Sequence, residues 1–150
     1  MDMDAFIPAT YIRNEVQKLD VYKRIAEIEN EEELMDMQEE LLDRFGDMPS
    51  AVNNLLNIAL IKSICHKLYI TGLVQKGTEV KLTMYPKAKI KAEKIPELVT
   101  KYQNSLKFYP EATPYFIYNI SINKGKLDNI SIFENIKSLL DDFREILLKP

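Results

Sequence analysis

The first seventy residues carry apolar side chains at helical spacing. Between residues 10 and 28 they recur every three or four positions, which predicts a first helix with one buried face. The residues on that face are Ile12, Val16, Leu19, Tyr22 and Ala26. A second helix is predicted to begin near Glu31, because Asn30 is a suitable N-cap and Glu33 can return a hydrogen bond to the Asn30 N–H.

The second helix is predicted to end at a glycine and to be followed closely by a third. Gly46 stands where many helices end in a left-handed residue, and Pro49 suits the first position of the next helix. The apolar face of the second helix consists of Leu34, Met37, Leu41 and Phe45. The third helix is apolar over a wide arc, which predicts that it is the most buried; its apolar residues are Val52, Leu55, Leu56, Ala59, Leu60, Ile64 and Leu68.

After residue 68 the pattern changes to short alternating runs typical of strands. Residues 70–75 and 78–84 form a predicted hairpin with its turn at Lys76 and Gly77. Pro96 indicates a short helix within residues 93–104, and residues 106–109 and 115–122 read as two more strands. A capping box of Ser131 and Glu134 is predicted to open a C-terminal helix. The apolar face of this helix consists of Phe133, Ile136, Leu140, Phe143 and Leu147.

These elements predict an α+β fold. A three-helix N-terminal part over residues 10–69 is followed by a small mixed or antiparallel sheet with covering helices over residues 70–150. Residues 10–150 are interpreted as a single domain, because 150 residues suffice for one core of ordinary size. Residues 1–9 are interpreted as a connector from an upstream region.

Charge is divided unevenly between the two parts. The chain has 20 basic and 23 acidic residues, a net charge of −3. Residues 1–68 carry 14 acidic and 7 basic residues, whereas residues 69–150 carry 9 acidic and 13 basic ones. The small net charge therefore conceals one acidic and one basic half.

The residues offer little for catalysis. A single cysteine, Cys65, excludes an intramolecular disulfide and a multi-cysteine metal site, and a single histidine, His66, excludes a His-rich metal site. Adjacent helical residues point about 100° apart, so Cys65 is interpreted as a buried core residue rather than a nucleophile. Phosphate-binding glycine loops and hydrolase motifs are missing. We expect no enzymatic activity, cofactor or metal in this chain, and, without a signal peptide or an apolar span, a cytoplasmic location.

The second helix carries an acidic stripe. Residues 27–47 contain ten acidic residues against one base, Arg44. At about 100° per residue, Asp36, Glu40 and Asp43 lie within about 60° of one another, opposite the apolar face. Asp43 is in the last turn, where the helix dipole disfavours a carboxylate. The stripe is either a solvated face or a docking surface for a basic partner.

The second part contains a lysine-rich segment. Eight lysines lie between residues 76 and 107, interspersed with Tyr85, Tyr102, Phe108 and Tyr109. Basic and aromatic residues together are typical of surfaces that bind nucleic acid. Lysines also occupy solvent-facing and edge positions of ordinary sheets. A nucleic-acid-binding accessory domain is therefore the alternative to a docking function.

Residues 40–46 read Glu-Leu-Leu-Asp-Arg-Phe-Gly, with Pro49 three residues on. This segment resembles the ELxDRFGxxP signature of the C-terminal domain (TRCF domain) of bacterial transcription-repair coupling factors, the Mfd proteins. Ile7-Pro8, Tyr11-Ile12, and Leu19 with the segment 22–25 (Tyr-Lys-Arg-Ile), are similar to further blocks of that family in the same order. The resemblance covers about residues 5–72.

The resemblance implies a regulatory role within a larger protein. The parent would be an ATP-dependent DNA translocase, with ATP and Mg²⁺ bound in an upstream motor, that removes stalled RNA polymerase and recruits excision repair through UvrA. The domain would pack against the parent's UvrB-like module and mask the UvrA-binding surface. The family's interface positions fall on Glu40, Asp43 and Arg44, and Asp36 shares their stripe. DNA, RNA polymerase and UvrA would be reached through the rest of the parent, and no membrane partner is expected.

Overall fold

A computed structural model describes residues 3–120 and 128–148. The chain divides into two compact units, a helical unit of Met3–Ile64 and an α/β unit that begins at Cys65. Three N-terminal helices precede a four-stranded antiparallel sheet and further helices, so the predicted α+β class is confirmed. The assignments of residues 1–9 as a connector and of 10–150 as a single domain stay predictions.

The helical unit has one apolar core. It is built from α1 (Glu15–Ala26), α2 (Glu31–Phe45) and the greater part of α3 (Ser50–Lys67). The segment before α1 contributes to the same core, because Ile7 and Ile12 are almost fully buried. The buried cluster consists of Ile7, Ile12, Val21, Ile25, Ile28, Leu34, Met37, Leu41, Val52, Leu56 and Leu60.

The first helix is shorter than predicted, and its predicted face is wrong. Asn14 caps it by accepting a hydrogen bond from the Gln17 N–H at 3.0 Å, so the helix begins at Glu15 rather than near residue 10. Val16 and Leu19 are 77% and 61% exposed, while Val21 and Ile25 are buried. Because α1 has apolar residues on two sides, tertiary packing decides which side is buried.

The start of α2 at Glu31 is confirmed, with one change in its cap. The Glu33 N–H donates to the Asn30 side chain at 2.8 Å, but the Glu33 carboxylate accepts from the Glu29 N–H at 2.9 Å, not from Asn30. Gly46 ends the helix with a positive φ of 87°, as expected of a glycine, although its ψ of −165° is extended rather than left-handed helical. Pro49 stands just before the first residue of α3, one position earlier than predicted.

The α/β unit is built on an antiparallel sheet in the order β1-β2-β4-β3. The strands are β1 (Ile70–Lys76), β2 (Glu79–Met84), β3 (Leu106–Tyr109) and β4 (Tyr115–Asn119). The predicted hairpin is confirmed, with its turn at residues 77–78, one residue later than predicted. The last strand ends at Asn119, earlier than predicted, since Ile120 is no longer in the strand. Residues 121–122 of the predicted strand lie outside the described residues.

Helices cover one face of this sheet. They are α4 (Ile95–Lys101), between 3-10 turns at Ala92–Lys94 and Gln103–Ser105, and α5 (Asn129–Phe143), which continues as a π-helical turn over Arg144–Leu148. The rings of Phe116 and Phe143 meet at 5.6 Å between the sheet and the end of α5. Within the described ranges, no helix combines the length and the hydropathy needed to cross a bilayer.

The predicted capping box of α5 is wrong. The cap is Asp128, whose carboxylate accepts a hydrogen bond from the Ser131 N–H at 2.8 Å. Ser131 is thus the third residue inside a helix that begins two residues before it. The predicted apolar face is confirmed, because Phe133, Ile136 and Leu140 are buried together with the residues further along the helix.

Candidate docking surface

The helix α2 is held firmly on its inner side. Leu34, Met37 and Leu41 are buried in the core of the helical unit. At the end of the helix the Tyr11 hydroxyl lies 2.9 Å from the Gly46 carbonyl oxygen and 3.1 Å from that of Leu41, so its single proton is shared between them. Burial, followed by the nearby Asp47 carboxylate, raises the pKa of Tyr11. These contacts fix the orientation of the opposite face.

The carboxylate of Glu40 is paired within the chain. Arg24 on α1 donates to both of its oxygens, and the Nη1 of Arg44 donates to one of them at 2.9 Å. The hydrogen bonds from Arg24, reinforced by Arg44, lower the pKa of Glu40 to about 2. Glu40 therefore stays ionised and joins α1 to α2. The two guanidinium groups offset the repulsion between Glu40 and the neighbouring carboxylates of the acidic stripe.

The guanidinium of Arg44 has two neighbours on its own helix. It donates to Glu40, and its central carbon lies 4.9 Å from the centroid of the Phe45 ring. A cation above an aromatic face and beside a carboxylate loses part of its freedom before any partner arrives. Arg44 is thus an exposed but oriented donor.

The two aspartates of the stripe are open to solvent. Asp36 and Asp43 are exposed, and neither forms an ion pair with any residue that the structure describes. Seven residues separate them, which places them two turns and about 10 Å apart on one side of the helix. Of the three predicted acidic residues, the structure leaves two free and turns the third, Glu40, toward α1.

Exposed apolar side chains lie beside these aspartates. Met35 is 56% exposed and Leu42 is 53% exposed, and they are also seven residues apart. Glu39, between the two pairs around the helix, is exposed as well. We call the residues Met35, Asp36, Glu39, Leu42 and Asp43 the open face of α2. It combines apolar and acidic groups, the composition expected of a surface that docks on a basic protein.

A groove of about 250 Å³ adjoins the open face. Glu27, Glu33, Asp36 and Glu40 line it with Arg24 as the basic residue, above an apolar floor of Ile28 and Met37. The excess of carboxylates makes this groove receptive to a cationic side chain.

Arg24 is the member of this site that the sequence reasoning missed. The only signal was its place in segment 22–25, which resembles a family block. An ion pair between two helices depends on how they pack, and the charge pattern of one helix does not contain that information.

Cys65 is buried, as predicted, and burial raises the pKa of its thiol to about 12. At neutral pH the thiol is protonated, which makes it a poor nucleophile. His66 is exposed. Among the described residues, no three His, Cys, Asp or Glu side chains are grouped to hold a metal ion.

The aromatic residues of the lysine-rich segment fall on different sides of the α/β unit. Tyr102 donates to Asp142 at 2.5 Å, and the Phe108 ring packs on Phe116 at 4.7 Å, so both serve internal packing. Tyr109 instead stacks on Tyr115, with ring centroids 4.8 Å apart. Of the four aromatic residues named from sequence, only Tyr85 and Tyr109 lie away from these internal contacts.

Known proteins are similar to this chain in both sequence and fold. The family model of the TRCF domain matches residues 1–95. The transcription-repair-coupling factor of Rickettsia prowazekii is 32% identical over 146 residues, which is 97% of this chain and 12% of that protein. That of Staphylococcus haemolyticus is 38% identical over 88 residues, 59% of this chain and 8% of that protein. The chain thus spans about a tenth of the length of these relatives.

A solved structure extends the likeness over the whole fold. The crystal structure of the C-terminal domain of a transcription-repair coupling factor matches with a TM-score of 0.79 and 25% identity, covering 97% of this chain and 90% of that one. The fold is therefore that of a coupling-factor C-terminal domain. The chain belongs to the TRCF domain family, so the predicted family is confirmed.

Proposed function

We propose that this chain is the autoinhibitory, protein-interaction domain of a transcription-repair coupling factor. It docks through the open face of α2 on the UvrB-like module of its parent and masks the surface that UvrA uses. The parent is an ATP-dependent DNA translocase that displaces stalled RNA polymerase in transcription-coupled repair. ATP and Mg²⁺ belong to its upstream motor.

The proposal rests on one observation: exposed carboxylates, Asp36 and Asp43, lie next to exposed apolar side chains, Met35 and Leu42, on the same side of α2. Carboxylates without an internal cation are available to lysine or arginine of a partner. The apolar residues supply area that association removes from water. A face that served only to keep the helix in contact with solvent would not require these exposed apolar residues.

The proposed division of roles differs between the acidic residues. Asp36 and Asp43 contact the basic partner directly. Glu40 acts through Arg44, because its carboxylate holds that guanidinium in place for an acceptor on the partner. Release of the domain is then a population shift, in which a coupling of a few kcal/mol decides between closed and open states.

Binding to the separately produced UvrB-like module tests the proposal. We expect Asp36→Lys with Asp43→Lys to weaken the complex at least tenfold, since each change replaces attraction with repulsion. Glu93→Lys with Glu134→Lys is the matched control, because both residues are exposed in the α/β unit and the net charge changes equally. Equal affinities for the two double variants would refute docking through the open face.

In the full-length parent the same exchange should favour the open state. UvrA binding is the readout, and it should become stronger with Asp36→Lys and Asp43→Lys while the control pair leaves it unchanged. UvrA affinity that does not respond to the exchange would remove the masking part of the proposal.

A further inference from the structure

The sheet of the α/β unit has one face that its helices leave uncovered. Alternate residues of β2 and β4, such as Leu82 and Phe116, are buried beneath the helices. Their neighbours point to the other side, where Lys81 and Val74 are exposed. We call this side the outer sheet face; it includes Val74, Lys81, Thr83, Lys107, Tyr109, Tyr115 and Ile117, with Lys76 and Glu79 at one end.

Strand register brings two lysines into one row across this face. Val74 pairs with Lys81, Lys81 with Ile117, and Ile117 with Lys107. With strands about 4.8 Å apart, the two lysines stand about 10 Å from each other with Ile117 between them. This separation lies within reach of successive backbone phosphates for flexible lysine side chains.

The adjoining row is aromatic. Tyr109 and Tyr115 pair across β3 and β4, and their rings stack at 4.8 Å with an interplanar angle of 14°. The Nζ of Lys81 lies 4.4 Å from the centroid of the Tyr115 ring. The ammonium therefore lies over one face of the Tyr115 ring, while Tyr109 covers the other face.

The charge of the sheet is unbalanced. Its four strands contain three lysines, at positions 76, 81 and 107, and one acidic residue, Glu79. Glu79 pairs with Lys76 in the register, at the far end from the tyrosines. At the tyrosine end, the Tyr115 hydroxyl donates to the carboxylate of Glu111, which lies between β3 and β4, at 3.3 Å. Within the described parts of the chain, no carboxylate lies in ion-pair distance of Lys81 or Lys107.

We propose that the outer sheet face binds single-stranded nucleic acid, with Lys81 and Lys107 on phosphates and the tyrosine pair beside the bases. Unpaired bases offer the flat faces that aromatic side chains stack on, whereas a duplex hides them. An acidic protein would satisfy the lysines but not the stacked rings. This surface shares no residue with the open face of α2, so the two proposals fail independently.

Fluorescence anisotropy of the intact chain with a labelled 12-residue oligothymidylate tests the assignment. At about 20 mM salt we expect a Kd on the order of 10 to 100 µM, as for sequence-independent binding with few phosphate contacts. Two phosphate contacts predict a slope of about −1.4 in a plot of log affinity against log salt. A duplex of the same length should bind at least threefold more weakly.

Two sets of variants locate the site. Lys81→Glu with Lys107→Glu should weaken binding at least tenfold, whereas Lys62→Glu with Lys87→Glu, an equal charge change at exposed positions off this face, should alter it less than threefold. Tyr109→Leu should weaken binding about fivefold or more without changing the salt slope, because Tyr109 lies on the edge strand β3 and the two faces of Tyr115 are covered by Tyr109 and Lys81. Circular dichroism checks that each variant is folded.

Several results would overturn the assignment. Failure to bind at 20 mM salt would do so, as would equal weakening by both lysine pairs, which would indicate a response to net charge alone. Tighter binding of a 12-residue oligoglutamate than of the oligothymidylate would assign the face to an acidic protein instead. An unchanged affinity in folded Tyr109→Leu would remove the tyrosine pair from the site.

Discussion

Arg24 on α1 donates hydrogen bonds to both carboxylate oxygens of Glu40 on α2, sixteen residues further along the chain. The side chains are 39% and 31% exposed, so the pair lies at the edge of the core and not within it. A bidentate arginine–carboxylate pair fixes both distance and orientation. This contact sets how the first two helices are joined and which acidic residues of α2 are left for a partner.

Removal of the arginine should lower stability by a measurable amount. We expect Arg24→Gln to reduce the free energy of unfolding by about 1 kcal/mol, because Glu40 keeps only Arg44 and the exposed fraction of the pair limits its worth. Urea unfolding measures the change. Lys23→Gln, at an exposed neighbouring position, is the control and should shift stability by less than about 0.5 kcal/mol. Equal midpoints for the two variants would contradict this role of Arg24.

Stability should also depend on the titration of Glu40. Its pKa is lowered from 4.5 to about 2 on folding, so the folded state favours the ionised form. The stabilisation is complete above about pH 5 and is lost as the pH falls from about 4.5 toward 2. The full shift corresponds to about 3 kcal/mol, which solvent screening at a partly exposed pair reduces to about 1 kcal/mol.

The variant Glu40→Gln identifies this contribution. As the pH decreases from 4.5 to 2, the free energy of unfolding of this variant should fall less steeply than that of the unsubstituted chain. The two free energies should converge at the acid end of this range. Urea unfolding at several pH values measures both. Parallel curves would mean that Glu40 contributes nothing to the acid sensitivity of the fold.

Sequence pattern predicted α2 well because several independent signals agree there. Asn30, the apolar period and Gly46 define its start, its buried face and its end. On α1 the signals disagree, since Val16 and Leu19 continue the period on the side that packing leaves exposed. The local sequence pattern predicts the buried face of a helix correctly only where a single face is consistently apolar.

Only part of the candidate site could be predicted from the sequence, and the reason differs from that for α1. The helical wheel correctly places Asp36 and Asp43 on the solvent side. Glu40 lies closer to the boundary of that side, and whether it is free depends on Arg24 of another helix. Contacts between elements follow from packing angles, which the periodicity of a single helix does not encode.

The corrected cap of α5 leads to a direct comparison of two residues. Asp128→Ala should cost about 1 kcal/mol, because its carboxylate accepts the hydrogen bond from the Ser131 N–H. Asp128→Asn keeps an acceptor and should cost less. Ser131→Ala removes only a hydroxyl group from a residue inside the helix and should cost less than about 0.5 kcal/mol. If thermal unfolding showed Ser131→Ala to be the more costly change, the assignment of the cap to Asp128 would be wrong.

Leu41 and Leu42 are adjacent residues with opposite environments, and this contrast separates folding from docking. Leu41 is fully buried and Leu42 is 53% exposed. Leu41→Ala should destabilise the chain by about 2 to 5 kcal/mol, through lost burial and the cavity left behind, whereas Leu42→Ala should change stability by less than about 0.5 kcal/mol.

The same two variants then report on the open face of α2. Folded Leu42→Ala should bind the UvrB-like module several-fold more weakly, because Leu42 supplies apolar area to the proposed interface. Leu41→Ala, measured where it is still folded, should bind with nearly unchanged affinity. Urea unfolding and a binding titration on the same preparations give both quantities. If the Leu42→Ala chain bound as tightly as the unsubstituted chain, docking would be restricted to the carboxylates. If it unfolded readily, Leu42 would belong to the core.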